Sequence, residues 1–317
     1  MNSLRTIGKS IFLGAAAISR VTPPFRGKYR AMNALYQMCT NQSAGTVVAT
    51  LSKPTTFDCK LNLDCAHERL AYCENGYESD TVMFLKRLWD GKGYFLDIGA
   101  NIGLISVPFS LLAKDSGKLP DQTLTISFEP VASNFAALTY NLEVNGLGSC
   151  TKAFNAGAAA VAGQVEIQVE GDQLENAGTG TANILPTGSD YECERQTIKV
   201  VRIDDLVASQ KIPENCSLIK IDTDGYDLFA LQGARELLTR NRPIVFGEFA
   251  EHCMNWHNHS IRDVQEFARD LDYILLIRTS QKNVWQFQAM TEFSHFVQDA
   301  LLVPSEKLDS CRWCLLT

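Results

Sequence analysis

From Ser79 onward, short apolar runs alternate with amphipathic stretches, and two of the runs end in an aspartate followed by a tight turn: "YFLDIGANIG" at 94–103 and "SLIKIDTDG" at 217–225. An apolar run of this length bounded by glycine suits a buried strand. The intervening segments repeat their apolar positions every three or four residues, the spacing of a helix face. Strands are expected at Tyr94–Ile98, in "TLTISFEP", in "SLIKID" and in "PIVFGEF". Helices are expected from Ser79 to the glycines near 91, from Leu104 to Lys114, from a capping Ser133 or Asn134 to Gly146, from Tyr226 to Thr239 and over "SIRDVQEFARDLD". Three further strand-like runs are "CTKAFNAGAAA", "QVEIQVE" and "TIKVVRIDDL". Strands alternating with helices predict an α/β fold with a doubly wound, mostly parallel sheet covered on both faces. The closing "YILLIRT", "VWQFQA" and "DALLVP" are separated by short gaps and predict an antiparallel C-terminal edge. The Gly-, Thr- and Asn-rich stretch 170–196 reads as a long loop over a site or as a tolerated surface excursion, its place between core strands favouring the first.

With 45% hydrophobic and 21% charged residues, 317 residues can bury a full core. A net charge of −7 argues against a nucleic-acid partner, which needs a basic footprint. Charge is uneven, however, because residues 1–57 hold seven Lys or Arg and no Asp or Glu. We therefore divide the chain into a basic N-terminal helical arm, 1–57, and a main domain, 58–317, with its core at about 77–304. The apolar run Ile11–Ile18 is short for a secretory signal and too short to span a bilayer, which takes about 20 apolar residues. The arm thus either packs on the main domain or lies as an amphipathic helix on an anionic membrane or on a partner. Ten cysteines show no compact framework, so reduced thiols in a cytoplasmic protein are expected, with membrane association only in the second reading of the arm. A lone "CRWC" lacks a second pair for zinc, and "CLLT" ends in an atypical residue for prenylation.

In a doubly wound sheet, ligands sit beyond the carboxyl ends of the strands, where "DIGANIG" and "FEP" lie. A dinucleotide loop reads G-x-G-x-x-G so that bare backbone can approach a pyrophosphate. Here the pattern is D-x-G-x-N-x-G, with Asn101 in the middle and Asp97 at the entrance. A carboxylate there opposes a phosphate and suits a cation, which favours S-adenosylmethionine over a nicotinamide dinucleotide. Glu129, at the end of the second strand, is placed to accept both ribose hydroxyls. A non-catalytic nucleotide-binding module and a nicotinamide-dependent oxidoreductase are the alternatives.

The segments "FLDIGANIGLISV", "FEPVASNFAALTYNLEVNG", "IKIDTDGYDLFALQGARELL", "PIVFGEF" and "DALLVP", in that order, resemble the FkbM family of S-adenosylmethionine-dependent methyltransferases over about Tyr77–Pro304. The resemblance implies a Rossmann-like fold of the class I methyltransferase type and methylation of hydroxyl oxygens on polyketides or on sugars of glycans and glycolipids. It also implies that Asp97, Gly99, Asn101 and Gly103 form the cofactor loop, that Glu129 holds the ribose, that Asn134 supports the "FEP" turn and that Asn155 meets the adenine edge. The family pattern D-x-E-G-x-E is replaced by "DTDGYD", so Asp224 and Asp227 stand where glutamates are expected and each is a methylene shorter.

A hydroxyl acceptor needs a base in reach as it attacks. Asp222 and Asp224, at the end of the fourth strand, are the first candidates, and Glu248, ending the next strand, follows. His252 and His257 titrate closer to neutrality but come after them. Asp222, Asp224 and Glu248 also have the oxygen chemistry for Mg²⁺, which helix capping by Asp224 makes the less favoured reading. The partners expected are a small-molecule or glycan acceptor and no nucleic acid.

Overall fold

The computed structural model describes residues 2–316 apart from 24, 41–42, 118–122, 170–181, 184–193, 280–284 and 291–298. The chain opens with helices α1 (Asn2–Val21) and α2 (Lys28–Thr40), strands β1 (Thr46–Leu51) and β2 (Phe57–Asn62), and helices α3 (Ala66–Glu74) and α4 (Ser79–Leu88). There follow β3 (Tyr94–Ile98), α5 (Ser106–Asp115), β4 (Thr125–Phe128), α6 (Ala132–Val144), β5 (Thr151–Phe154), β6 (Gly157–Ala158), β7 (Gly163–Val169), β8 (Ala182–Asn183), β9 (Glu194–Val201) and α7 (Ile203–Ala208). The last part comprises β10 (Cys216–Ile221), α8 (Asp227–Gly233), α9 (Arg235–Asn241), β11 (Ile244–Glu248), α10 (Glu251–Asn255), α11 (Ile261–Asp270), β12 (Tyr273–Arg278), β13 (Phe287–Ala289), β14 (Asp299–Pro304) and a 3₁₀ segment, Ser305–Cys314.

One eight-stranded sheet, in the order β13-β12-β14-β11-β10-β3-β4-β5, organises the domain. Its five strands from β11 to β5 are parallel, and β14 inserts antiparallel between β11 and β12, so the expected antiparallel edge is present. The order of strands reverses between β3 and β10, where a doubly wound sheet opens a crevice. Alternate residues of the central strands face two apolar layers. Leu96, Ile98, Ile219 and Ile221 meet Leu228, Leu231 and Val264 on one side. Phe95 and Leu218 meet Phe84, Leu85 and Phe109 on the other. The fold expected from the alternation of strands and helices is the fold observed.

Several expectations need correction. The strand-like runs after β5 do not extend this sheet. β6, β9, β7 and β8 form a second, four-stranded one, because "QVEIQVE" and its partner have no helix between them and pair antiparallel. The helix expected over Tyr226–Thr239 breaks into α8 and α9 at Gly233, where a Cβ would come within 2.0 Å of the Ala159 carbonyl oxygen. Most of 170–196, expected to cover the site, lies outside the described residues.

The division at 57/58 also falls inside a unit, since β1 pairs antiparallel with β2, Leu51 opposite Phe57. The helical arm proper is α1 and α2, and it packs on the main domain through Phe12, Ala16, Met32 and Tyr36 against Leu63 and Cys73. Ser19 donates to the Cys73 carbonyl at 3.0 Å, and Lys28 pairs with Glu74 at 3.1 Å. The nine described cysteines are free thiols, six of them buried.

One buried amide ties the N-terminal unit to the turn after β3. The Asn141 Nδ2 donates to the Ile102 carbonyl at 2.9 Å, and its Oδ1 accepts the Lys60 N–H at 2.7 Å. Asn141→Ala leaves the buried Ile102 carbonyl without this donor and the part-buried Lys60 N–H without this acceptor, so urea denaturation should show a loss of about 1–3 kcal/mol. A loss below about 0.5 kcal/mol would mean that this link does not hold β2 to the sheet.

Candidate functional site

The crevice at the β3/β10 switch point is a cavity of about 320 Å³. Its floor is the turn Gly99–Leu104. Gly99 has φ of +80°, and a Cβ there would lie 1.9 Å from the Asp222 carbonyl oxygen, so only glycine lets the ends of β3 and β10 approach this closely. The N–H groups of Gly99 and Ala100 both donate to the Phe128 carbonyl at 3.0 Å, which draws the turn over β4. Glu129 lies in the next turn and is 5% exposed. Its Oε2 accepts the Asn101 N–H at 2.8 Å and its Oε1 accepts the Val131 N–H at 2.9 Å. Burial pushes the Glu129 carboxyl up to about 7 against the pull of those two bonds. The carboxylate is thereby fixed in direction, and the Asn134 side chain bonds it as well. Ile167, Ile198 and Val200, from β7 and β9 of the second sheet, supply an apolar wall.

Lysine in the middle of an apolar strand is the feature that sequence reasoning missed. Lys220 lies in register with Asp97 across the β10–β3 ladder, and both are buried. Its Nζ is 3.3 Å from Asp97 Oδ1, 3.3 Å from Asp222 Oδ2, and donates to the Gly99 carbonyl at 3.1 Å. Ser106, at the start of α5, donates to Asp97 Oδ2 at 2.6 Å. Coulombic attraction to Asp97, Asp222 and Glu78 outweighs the desolvation of Lys220 and holds its ammonium above the ordinary lysine range. Asp97 is fully buried and does not line the cavity. The expectation that it presents a free negative charge to a ligand is therefore corrected, since Lys220 neutralises it and its work is to fix the loop. The detectable signal was "LIKID" itself, because a lysine among fully buried strand positions requires an acidic partner.

Carboxylates surround the Lys220 head. Asp222 stands on the cavity wall with its side chain 45% exposed. Asp224 follows in the left-handed conformation, φ +49°, and is pushed up to about 7 by burial and then by Asp222, Asp227 and Glu248. Glu248, set in the concave wall though still reached by solvent, is pushed up to about 7 by desolvation and then by Asp222, Asp299 and Glu78. Glu78 is raised by the same burial, with Asp222 and Asp299 adding to it. His67 and Glu68 from α3 and Tyr77 complete this side, none of them singled out by the sequence pattern. The His67 and Tyr77 rings stack at 6.1 Å, and burial lowers the His67 pKa.

Of the expected residues, Gly99, Asn101, Glu129, Asn134, Asp222, Asp224 and Glu248 converge on the cavity. Gly103 shapes the turn from behind, where a Cβ would meet Leu138 at 2.8 Å. Asn155 does not line the cavity, because its amide donates to the carbonyls of Glu129 and Pro130 at 3.0 Å each and so braces the "FEP" turn. Asp227 is likewise structural. It is fully buried, accepting from the Thr223 N–H and hydroxyl and from the Gly225 N–H, and so closes the turn into α8. His252 is exposed beside Trp256, and His257 packs edge-on to Tyr226, so neither lines the cavity. Tyr226 takes the wall position instead. Among the described residues no group of three His, Cys, Asp or Glu is placed to hold a metal ion, and the Mg²⁺ reading has no support.

The family model for the methyltransferase FkbM domain matches residues 97–275. Among solved structures the chain is similar to an FkbM methyltransferase from Methylobacillus flagellatus, at 15% identity and a TM-score of 0.40, covering 74% of this chain and 52% of that one. It thus spans about half the length of that protein. It is also similar to an rRNA methylase from Streptococcus thermophilus, at 11% identity, TM-score 0.37, with 71% and 95% covered. A third is the M1A22 tRNA methyltransferase TrmK of B. subtilis, at 12% identity, TM-score 0.35, with 71% and 64% covered. No curated protein compared with the chain matches it.

Removing one partner of a buried ion pair leaves the other charge uncompensated, at a cost of about 3–5 kcal/mol. Lys220→Met should show a loss of that size in urea denaturation, and Asp97→Asn in the same chain should recover much of it. A single variant within about 1 kcal/mol of the parent would contradict the place given to the pair.

Proposed function

The chain belongs to the FkbM methyltransferase family, and from that premise we propose that it uses S-adenosylmethionine to methylate a hydroxyl oxygen on a sugar, glycolipid or polyketide-type acceptor. The observation that carries this reading is the division of the cavity between two kinds of carboxylate. On one side Glu129 is locked by two backbone N–H bonds beside an apolar wall. On the other, Asp224 and Glu248 sit at the ends of neighbouring strands with their pKa values pushed up to about 7.

The first side fits an adenosine. Glu129 would take the ribose hydroxyls, Asn134 borders it, and Ile167, Ile198 and Val200 offer a slot for a flat apolar ring. A pyrophosphate fits poorly. Lys220 is the only Lys or Arg among the described residues lining the cavity, and its ammonium is held by Asp97, Asp222 and the Gly99 carbonyl. This observation replaces the free charge of Asp97 as the reason to prefer S-adenosylmethionine to a nicotinamide dinucleotide. When bound, S-adenosylmethionine supplies an electrophilic methyl group on a sulfonium.

The second side fits a hydroxyl acceptor, which must lose its proton as it attacks. A base works best when its pKa lies near the working pH, and it contributes roughly 10²–10⁴-fold. Among the described residues Asp222 is ion-paired to Lys220, whereas Asp224 and Glu248 make no ion pair. Asp224 is therefore the first candidate for proton removal and Glu248 the second, with Asp222 positioning Lys220 and the acceptor. Both carboxyls are raised by burial first and by the neighbouring Asp222 next.

Label transfer from methyl-tritiated S-adenosylmethionine to a panel of sugar, glycolipid and polyketide alcohols tests the proposal. Because the base acts deprotonated, turnover should rise with pH through about 7. Asp224→Asn should lower turnover by about 10²-fold or more while cofactor affinity stays within about threefold. Turnover that is flat from acid to neutral pH and indifferent to the substitution would place the base elsewhere. Separately, Glu129→Ala should weaken S-adenosylmethionine binding by at least about tenfold, since each bond to a charged acceptor is worth about 1.5–3 kcal/mol. An unchanged dissociation constant would remove Glu129 from the ribose site.

A further inference from the structure

The helical arm is amphipathic twice over. Its inner face, Phe12, Ala16 and Ser19, is buried against the domain. Its outer face carries Ile7, Ile11, Ile18 and Val21, with Phe25 in the turn beyond, each between 54% and 81% exposed. These positions recur at helical spacing, and Gly14 fills the gap between Ile11 and Ile18 with open space around it. Soluble surfaces carry scattered apolar residues, but a helix-long row of isoleucine, valine and phenylalanine marks a site of association.

The charge around the row identifies what it meets. Residues 1–57 carry seven basic and no acidic residues in a chain whose net charge is −7. Arg20 and Lys28 are used internally, on the Tyr72 carbonyl and on Glu74. Arg26 and Arg30, in and just after the turn that follows the row, are exposed and make no ion pair among the described residues. No described helix is long and apolar enough to cross a membrane. From the exposed apolar row on α1 and the unpaired arginines beside it, we propose that this face lies in the surface of an anionic lipid bilayer. The apolar side chains enter the acyl boundary while the arginines meet the headgroups. The consequence reaches the cavity. α3 lines it with His67 and Glu68 in its first turn and holds α1 through the Cys73 carbonyl in its last. Docking through α1 sets the cavity one helix away from the lipid.

The inference does not depend on which group is methylated. It is tested with the full chain by flotation on vesicles of phosphatidylcholine alone and of phosphatidylcholine with about 30% phosphatidylglycerol. Binding is expected to the anionic vesicles, at least about tenfold weaker to the neutral ones, and reduced by salt. Ile11→Ser with Ile18→Ser should lower anionic binding by at least about tenfold, because both side chains point away from the fold, and the thermal transition should stay in place. Arg26→Ser with Arg30→Ser should abolish the preference for anionic vesicles. No association with either vesicle, or equal association by the serine variant, would overturn the proposal. So would light scattering that shows a dimer which the Ile11→Ser, Ile18→Ser variant converts to a monomer, because a second copy would then cover the row.

Discussion

The ion pair between Lys220 and Asp97 is the constraint from which the site is built. Two charges side by side in the central ladder of an apolar sheet are tolerated only when each completes the other, and here each does more than that. Lys220 reaches past Asp97 to the Gly99 carbonyl and to Asp222, so one ammonium joins the ends of β3 and β10 to the turn that floors the cavity. Ser106 holds the second oxygen of Asp97 and shares a 2.8 Å contact with Ser127 on β4, which extends the polar seam across three strands to the first turn of α5. The close approach at Gly99 and the direction of Glu129 follow from that anchoring.

The same pair shapes the electrostatics. One buried cation faces Asp97, Asp222, Asp224, Glu78 and Glu248, and it cannot offset them all. The excess of negative charge, added to burial, keeps Asp224 and Glu248 near neutrality, while Asp222 is engaged by Lys220. The wall is thus divided into a carboxylate with a partner and carboxyls poised to exchange a proton. In the proposed function the poised carboxyls, Asp224 and Glu248, serve the hydroxyl acceptor.

Much of this was legible in the sequence. The parallel sheet followed from the alternation of strands and helices, and the place of the ligand loop followed from its position beyond the carboxyl end of a strand. Gly99, Asn101, Glu129, Asp222 and Asp224 were marked by their place at strand ends. What could not be read was pairing. Asp97 and Lys220 are more than a hundred residues apart, and only the register of β3 on β10 shows that the aspartate is spent inside the protein. Asn155 and Asp227 were marked by position too, but each turns inward to brace a turn, a choice made by the nearest unsatisfied backbone groups. Tyr77, Glu78 and His67 precede the matched family segment and reach the cavity through the packing of α3 and the β1–β2 pair beneath it, which no local pattern announces.

In the proposed function this crevice accepts an adenosine carrying a cation and refuses one carrying a pyrophosphate. Calorimetric titration of the unmodified chain with S-adenosylmethionine and, in parallel, with NAD addresses it most directly. We predict one saturable site for S-adenosylmethionine and binding of NAD at least about 100-fold weaker, a difference of about 2.7 kcal/mol. Tight, saturable NAD binding with no measurable heat from S-adenosylmethionine would contradict the account.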